Sequence, residues 1–177
     1  MKGSNYMILE KILIPDLVVK SYRDVTPEMI KASGKIALLC DIDNTLATYD
    51  DPTPPEELVK WIKNMQAGGV QVAFVSNNSW ERVKGFNEEL GLVAYAKAGK
   101  PSTRFLQMAI NDLGVEKRDA VLLGDQLLTD CAAAKTFGIP AIIVPPIKDK
   151  TTPFFKFKRW LEKPYMKKYF QMKKTNG

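Results

Sequence analysis

Histidine is absent from the 177 residues. That absence removes Ser-His-Asp hydrolysis, phosphohistidine intermediates and histidine-built metal sites together, so any catalysis has to run on carboxylates, lysine, hydroxyls and a metal. Cysteine is scarce: Cys40 and Cys131 both lie in apolar segments without Cys-x-x-Cys spacing, which favours buried reduced thiols over zinc or redox chemistry. No apolar run reaches membrane-spanning length. Near the start, Met7-Ile8-Leu9 is cut by Glu10-Lys11 and Ile12-Leu13-Ile14 by Pro15-Asp16, which leaves no signal-peptide core. The expectation is a cytoplasmic protein with no integral membrane segment.

What is present has ordinary globular composition and enough length for one full core. The net charge of +6 is unevenly placed: residues 148–177 hold ten Lys or Arg against two acids, which leaves the preceding residues at minus two. The basicity belongs to the tail, and the chain divides into a lead-in arm over 1–34, a central domain over 35–147 and a basic, aromatic tail over 148–177. In the arm, Thr26-Pro27 offers a helix start and Gly34 a stop.

Ile36-Ala37-Leu38-Leu39-Cys40 is too short for a stable helix and reads as a strand buried on both faces. Side chains alternate along a strand, so Asp41 and Asp43 point the same way at its carboxyl end, where open α/β sheets hold ligands. Two carboxylates aimed together out of an apolar strand persist with a cation or a shared proton, and a divalent metal is the favoured partner. The competing reading of Asp-x-Asp-x-Thr, taken alone, is an acidic strand end turning into solvent.

Downstream, Asp50-Asp51-Pro52-Thr53-Pro54-Pro55 makes a loop beside the acidic pair. Leu58, Val59, Ile62 and Met65 recur at helical spacing up to the stop at Gly68-Gly69. A second strand, Val70–Val75, runs into Ser76-Asn77-Asn78-Ser79, which places a hydroxyl and backbone N–H groups where an anion would sit, although Ser79 also suits plain helix capping. After the helix from Ser79 to about Leu90, a short strand at 93–96 delivers Lys97-Ala98-Gly99-Lys100-Pro101-Ser102. Pro101 fixes an extended or turn conformation at Lys100, and Ser102 suits capping of the helix that follows through Leu113. A fourth strand, 120–123, ends in Gly124-Asp125 and leads to Asp130, with Gly124 allowing close backbone approach. A helix then stops at Gly138, and 139–144 makes a fifth strand. Strands alternate with helices throughout, so the expected fold is α/β, a three-layer doubly wound parallel sheet.

Four successive strand ends therefore carry Asp41 with Asp43, Ser76, Lys100, and Asp125 with Asp130. In this order they resemble the four signature motifs of the haloacid dehalogenase (HAD) superfamily of phosphatases, which implies the Rossmann-like HAD fold. Ile14-Pro15-Asp16, Asp24-Val25-Thr26-Pro27-Glu28, Ser76-Asn77-Asn78, Lys100-Pro101 and 124–130, with the basic aromatic tail, are similar to the bacterial YqeG type of subfamily IIIA, related to mitochondrial phosphatidylglycerophosphate phosphatase.

The resemblance implies Asp41 as a nucleophile forming an aspartyl-phosphate, and Asp43 as general acid and then base. It implies Mg2+ held by Asp41, Asp43 through its backbone carbonyl, and Asp125. Lys100 and Ser76 would clamp the phosphate, Asn77 would add a contact, and Thr45 and Asp130 would support the loop and the metal's surroundings. Haloacid dehalogenases lack the second aspartate, and response-regulator receivers carry their acceptor on the third strand, so Asp43 on the first strand favours phosphoryl chemistry. Thr45 to Ser76, and Ser76 to Lys100, each leave room for only one helix and one strand, so no large cap domain is expected. The phosphorylated substrate is then expected to be large or lipid, and the resemblance implies phosphatidylglycerophosphate. A protein or nucleic-acid terminus is the alternative substrate, and a non-catalytic RNA- or protein-binding module the non-enzyme alternative.

In the tail, Phe154, Phe157 and Leu161 repeat at helical spacing, as do Tyr165, Tyr169 and Met172, with Pro164 between the sets. Three readings fit: peripheral contact of 153–177 with an anionic inner membrane face, single-strand nucleic-acid binding, or a helix packed on the sheet with solvated lysines.

Overall fold

Ala37–Cys40 forms β2, the central strand, and every one of its residues is buried. Leu38 and Cys40 enter one core with Val72, Phe74, Val121 and Leu123, while Ala37 and Leu39 enter a second with Ala73, Val75, Leu122 and Ile143. A strand with apolar side chains on both faces needs cover on both, which is why the run shows no polar alternation. The computed structural model describes residues 2–148 and 152–175.

The order is α1 (Lys2–Leu13), β1 (Leu17–Val18), α2 (Pro27–Ala32), β2, α3 (Glu56–Ala67), β3 (Gln71–Val75), α4 (Trp80–Asn87), β4 (Val93–Tyr95), α5 (Arg104–Asp112), β5 (Ala120–Gly124), α6 (Ala132–Phe137), β6 (Ala141–Ile143) and α7 (Pro153–Thr175). All six strands pair in parallel in the order β1-β6-β5-β2-β3-β4. The chain leaves β2 towards β4 and then returns to the other side at β5. The reversal beside β2 opens a crevice at the strands' carboxyl ends.

Helix α3 buries Leu58, Val59, Trp61, Ile62 and Met65, and Trp61 Nε1 donates to the Val25 carbonyl at 2.9 Å. Helices α5 and α6 cover the opposite face through Leu106, Ala109, Ile110, Ala133 and Phe137. Gly138 ends α6 at φ +85°, where a side chain would be strained. Among the described residues, only α3 with its leading loop separates β2 from β3, and only α4 separates β3 from β4, so no cap domain covers the crevice.

Three local expectations need adjustment. Helix α5 starts at Arg104 behind Thr103, and Ser102 Oγ only grazes the Arg104 N–H at 3.5 Å, so Ser102 is one residue too early to be the cap. The lead-in segment supplies β1, joined to β6 through Leu17 opposite Ile142 and Val18 opposite Ile143. The two tail motifs are one helix, α7, running through Pro164. Pro164 and Trp160 are both exposed, so the carbonyl that loses its helical donor lies on the solvated side. Among the described residues, no helix is long and apolar enough to cross a membrane.

Candidate active site

Asp41 is the first residue beyond β2, and its N–H donates to the Leu123 carbonyl at 2.9 Å, so the sheet itself fixes where its side chain begins. The chain then coils tightly. The Ile42 carbonyl accepts from Leu46 N at 2.9 Å, and Asn44 adopts φ +67°, a conformation asparagine tolerates better than most side chains. This turn puts Thr45 Oγ1 within 3.4 Å of Asp41 Oδ2, to which it donates.

Lys100 arrives from beyond β4 and is 5% exposed. Its ammonium lies 2.7 Å from Asp41 Oδ1 and 2.7 Å from Asp130 Oδ1. Asn77 fixes the lysine's backbone from both sides, accepting from Lys100 N at 2.7 Å and donating to Lys100 O at 3.1 Å. Its amide is thus engaged in placing Lys100. Ser76 is buried, and its hydroxyl accepts from Asn78 N at 3.1 Å.

Asp125 follows β5 directly. Asp41, Asp125 and Asp130 offer carboxylate oxygens that all lie within 4.8 Å of one another. Asp130 sits on the turn 127–131, and its Oδ2 accepts from Asp125 N at 3.3 Å and Gln126 N at 3.0 Å. A Cβ at Gly124 would lie 2.4 Å from the Asp130 side chain, so glycine is required by this approach. Gly124→Ala should displace Asp130 and lower kcat at least tenfold, with a stability loss of about 1–3 kcal/mol in urea titration. Unchanged kinetics would show that Asp130 can move without consequence.

Asp43 lines the same cleft but is held away from the triad. It accepts from Asn78 Nδ2 at 2.7 Å and Arg82 Nε at 3.1 Å. Arg82 also donates to the Thr48 carbonyl at 3.0 Å and to the Asp51 carbonyl, tying the proline-rich loop to α4. The cleft has a volume of about 420 Å³, and Tyr49 and Thr129 complete its wall.

Burial is the largest influence on the acids. It pushes Asp41 up to about 7 against the pull of Lys100, with Asp130 and Asp43 reinforcing the rise. Burial and then Asp130 push Asp125 up to about 8, opposed by Arg159. For Lys100, burial works against the charge, but Asp130 and Asp41 outweigh it and hold the ammonium above the ordinary lysine range. Tyr49 is raised as well, by burial and then by Asp43.

The structure brings Asp41, Asp43, Ser76, Asn77, Lys100 and Asp130 around one cleft, with Thr45 behind Asp41 and Asp125 meeting Asp41 and Asp130 in the triad. Asp125 Oδ1 is buried with no hydrogen-bond partner among the described residues. An orphaned carboxylate oxygen beside two other carboxylates fits a hard divalent cation, which takes oxygen ligands and would offset the burial cost.

Tyr49, Asn78, Arg82 and Arg159 hold site positions that the sequence reading left without a role. Arg82 had a findable signal: Ser79 caps α4, accepting from Arg82 N at 3.3 Å, so residue 82 lies in the helix's first turn at the strand end. Arg159 had none. It reaches Asp125 from α7, pairing with Oδ2 and donating to the Asp125 carbonyl at 2.7 Å, while Glu162 holds it at 3.0 Å.

A parallel sheet with these groups at its carboxyl edge defines a HAD-like hydrolase. Family profiles agree: one described as haloacid dehalogenase-like hydrolase matches residues 38–98, and a second HAD-hydrolase-like profile matches 97–151. The chain is 35% identical over 156 residues to a protein of Bacillus subtilis (strain 168) named "Probable phosphatase YqeG", covering 88% of this chain and 91% of that protein. This chain therefore belongs to the YqeG type of HAD-superfamily phosphatases.

Solved structures show the shared fold. An uncharacterised protein from Listeria monocytogenes serotype 4b aligns with TM-score 0.52 at 20% identity, over 66% of this chain and 84% of its own. CbbY from Rhodobacter sphaeroides, in complex with phosphate, aligns with TM-score 0.51 at 16% identity, over 68% and 90%.

Proposed function

We propose that this phosphatase is a Mg2+-dependent phosphomonoesterase that works through an aspartyl-phosphate on Asp41 and acts on a lipid head group, phosphatidylglycerophosphate, at an anionic membrane face. The observation that carries the chemistry is Asp41 itself: one oxygen is bound by the Lys100 ammonium, the other is braced by Thr45, and the orphaned oxygen of Asp125 is in reach.

Asp41, Asp125 and the Asp43 carbonyl would hold Mg2+, which when bound supplies charge neutralisation between carboxylate and phosphate. The chain's own residues do the rest. Asp41 attacks phosphorus, Lys100 and the Ser76 hydroxyl hold the equatorial oxygens, and Asp43 gives a proton to the leaving oxygen and later takes one from the attacking water. Asn78 and Arg82 hold Asp43 for that exchange.

The open cleft favours a phosphate on something larger than the cleft itself. Supporting a membrane are Phe154, Phe157 and Trp160, which are 64%, 55% and 62% exposed on α7 with Lys156 and Lys163 close by in sequence. Deleting α7 would not separate docking from catalysis, because Arg159 on the same helix orients Asp125. Surface substitution is the cleaner tool.

The test starts with p-nitrophenyl phosphate. Turnover should require Mg2+ and fall at least a thousandfold in Asp41→Asn. Turnover of phosphatidylglycerophosphate in anionic vesicles should then exceed that of phosphorylated oligonucleotides and peptides. It should drop about tenfold or more in Phe157→Ser/Trp160→Ser, with the aryl ester unaffected. Equal vesicle turnover in the double variant would remove the membrane from the reading, and Mg2+-independent aryl turnover would remove the metal.

A further inference from the structure

A second cavity lies beside the cleft along the same edge of the sheet. It has a volume of about 710 Å³ and runs over the carboxyl ends of β6 and β1 beneath α7. Its walls are mostly apolar, with Val18, Val19, Val144, Pro145, Met166 and Phe170 prominent, and Asp125, Arg159 and Glu162 stand in its wall paired with one another through Arg159. The order of strands explains the neighbourhood. The polar cleft lies over β2, β3, β4 and β5 and the apolar groove over β6 and β1; Asp125, just beyond β5, lines the groove, and its carboxylate reaches within 4.8 Å of those of Asp41 and Asp130 in the cleft. Strands are about 4.8 Å apart, so the groove over β6 begins roughly 10 Å from β2, a gap the glycerol portion of a phospholipid bridges.

The wall chemistry selects the occupant. Val19 N is bound to the Ile143 carbonyl at 3.0 Å and Val18 N to the Tyr169 hydroxyl at 3.0 Å, while Pro145 and Pro146 have no N–H to offer. A bound peptide would bring backbone polar groups into a surface with few partners for them, at a cost for each. A hydrocarbon chain brings none. Exposed Lys20 and Lys163 at the rim favour an anionic head over a neutral one, and the volume is in the range of cavities that enclose small ligands.

We propose that this groove is an acyl-chain subsite, taking one hydrocarbon chain of the phospholipid whose phosphate sits in the Asp41–Lys100 cleft. The inference rests on the phosphatase reading above for its substrate, but the groove can be probed separately. Lipid specificity then comes from direct contact with the chain, independently of any docking of the protein on a bilayer.

The experiment uses the full chain and phosphatidylglycerophosphate analogues with butanoyl, hexanoyl and octanoyl chains, each kept below its micelle threshold so that no membrane is present. kcat/KM should rise roughly threefold per added methylene in the bound chain, mostly through KM. Val19→Trp, which fills the groove, and Phe170→Asp, at a 50% exposed position that tolerates change, should both flatten that series while leaving p-nitrophenyl phosphate turnover unchanged. Fluorescence of cis-parinaric acid gives a readout without chemistry: saturable binding in the parent protein, weakened at least tenfold in both variants.

A flat chain-length series with intact aryl turnover overturns the subsite and leaves the phosphatase reading standing. Absent aryl turnover in folded protein overturns the phosphatase reading, and parinaric acid binding then decides the groove alone. A phosphopeptide whose turnover falls in both variants, against a flat lipid series, would assign the groove to a protein chain and end the proposal.

Discussion

Lys100→Met should lose activity by at least a thousandfold and, with Mg2+ chelated, destabilise the fold by about 3–5 kcal/mol. The two losses have one cause. Lys100 is buried between Asp41 and Asp130 at 2.7 Å from each, and those acids stand within 4.8 Å of Asp125. Removing the ammonium leaves buried carboxylates without their cation, whose cost exceeds the gain from a methionine of similar volume. Mg2+ should recover part of the stability but little of the activity, because the phosphate clamp is still missing. Urea titration with and without Mg2+, beside aryl phosphate kinetics, measures both. A variant as stable as the parent in chelator would show that the acids share protons instead of relying on Lys100.

The second large effect is on stability against pH. Asp41 and Asp125 are pushed by burial from the ordinary value of 3.8 to about 7 and about 8. Between these limits the folded state holds protons that the unfolded chain has released, so stability falls as pH rises from about 4 and levels off above about 8. The raised value of Lys100 acts in the same direction, but only above the ordinary lysine range, outside this window.

With Mg2+ chelated, the protein should therefore lose several kcal/mol between pH 5 and pH 8. Mg2+ should restore more at pH 8 than at pH 5, since the carboxylates must ionise to bind it. Asp125→Asn should flatten the chelated profile, be more stable than the parent at pH 8, and lose most of the Mg2+-induced shift in Tm. A chelated parent protein that becomes more stable from pH 5 to pH 8 would contradict the buried triad.

Most strands were legible because each buried run is short, apolar and closed by glycine, proline or polar residues. Val70–Val75 and Ala120–Leu123 were readable from their own composition, and β3 and β5 lie at 71–75 and 120–124. Strand β1 was not, since two residues carry no periodicity and Leu17–Val18 becomes a strand only by hydrogen bonding to β6, more than 120 positions away. The passage of α7 through Pro164 was hidden for a related reason: whether a proline breaks a helix depends on which way the freed carbonyl faces.

The residue types at the site were in plain view, and what they share is position just beyond a strand. The alternation of strands and helices sends every such end to the same edge, so Asp41, Ser76, Lys100 and Asp125 had to converge if the strands were parallel.

From the sequence alone follow the acidic, histidine-free chemistry, the doubly wound order and the missing cap, because each depends on local composition and on chain length between motifs. The tertiary structure alone decided that Asn77 grips Lys100, that Arg82 holds Asp43, and that Arg159 crosses from α7 to Asp125. These pairs span 23, 39 and 34 positions. Contacts of that separation are set by how helices settle on the sheet, and no local pattern of residues encodes where a long side chain will end.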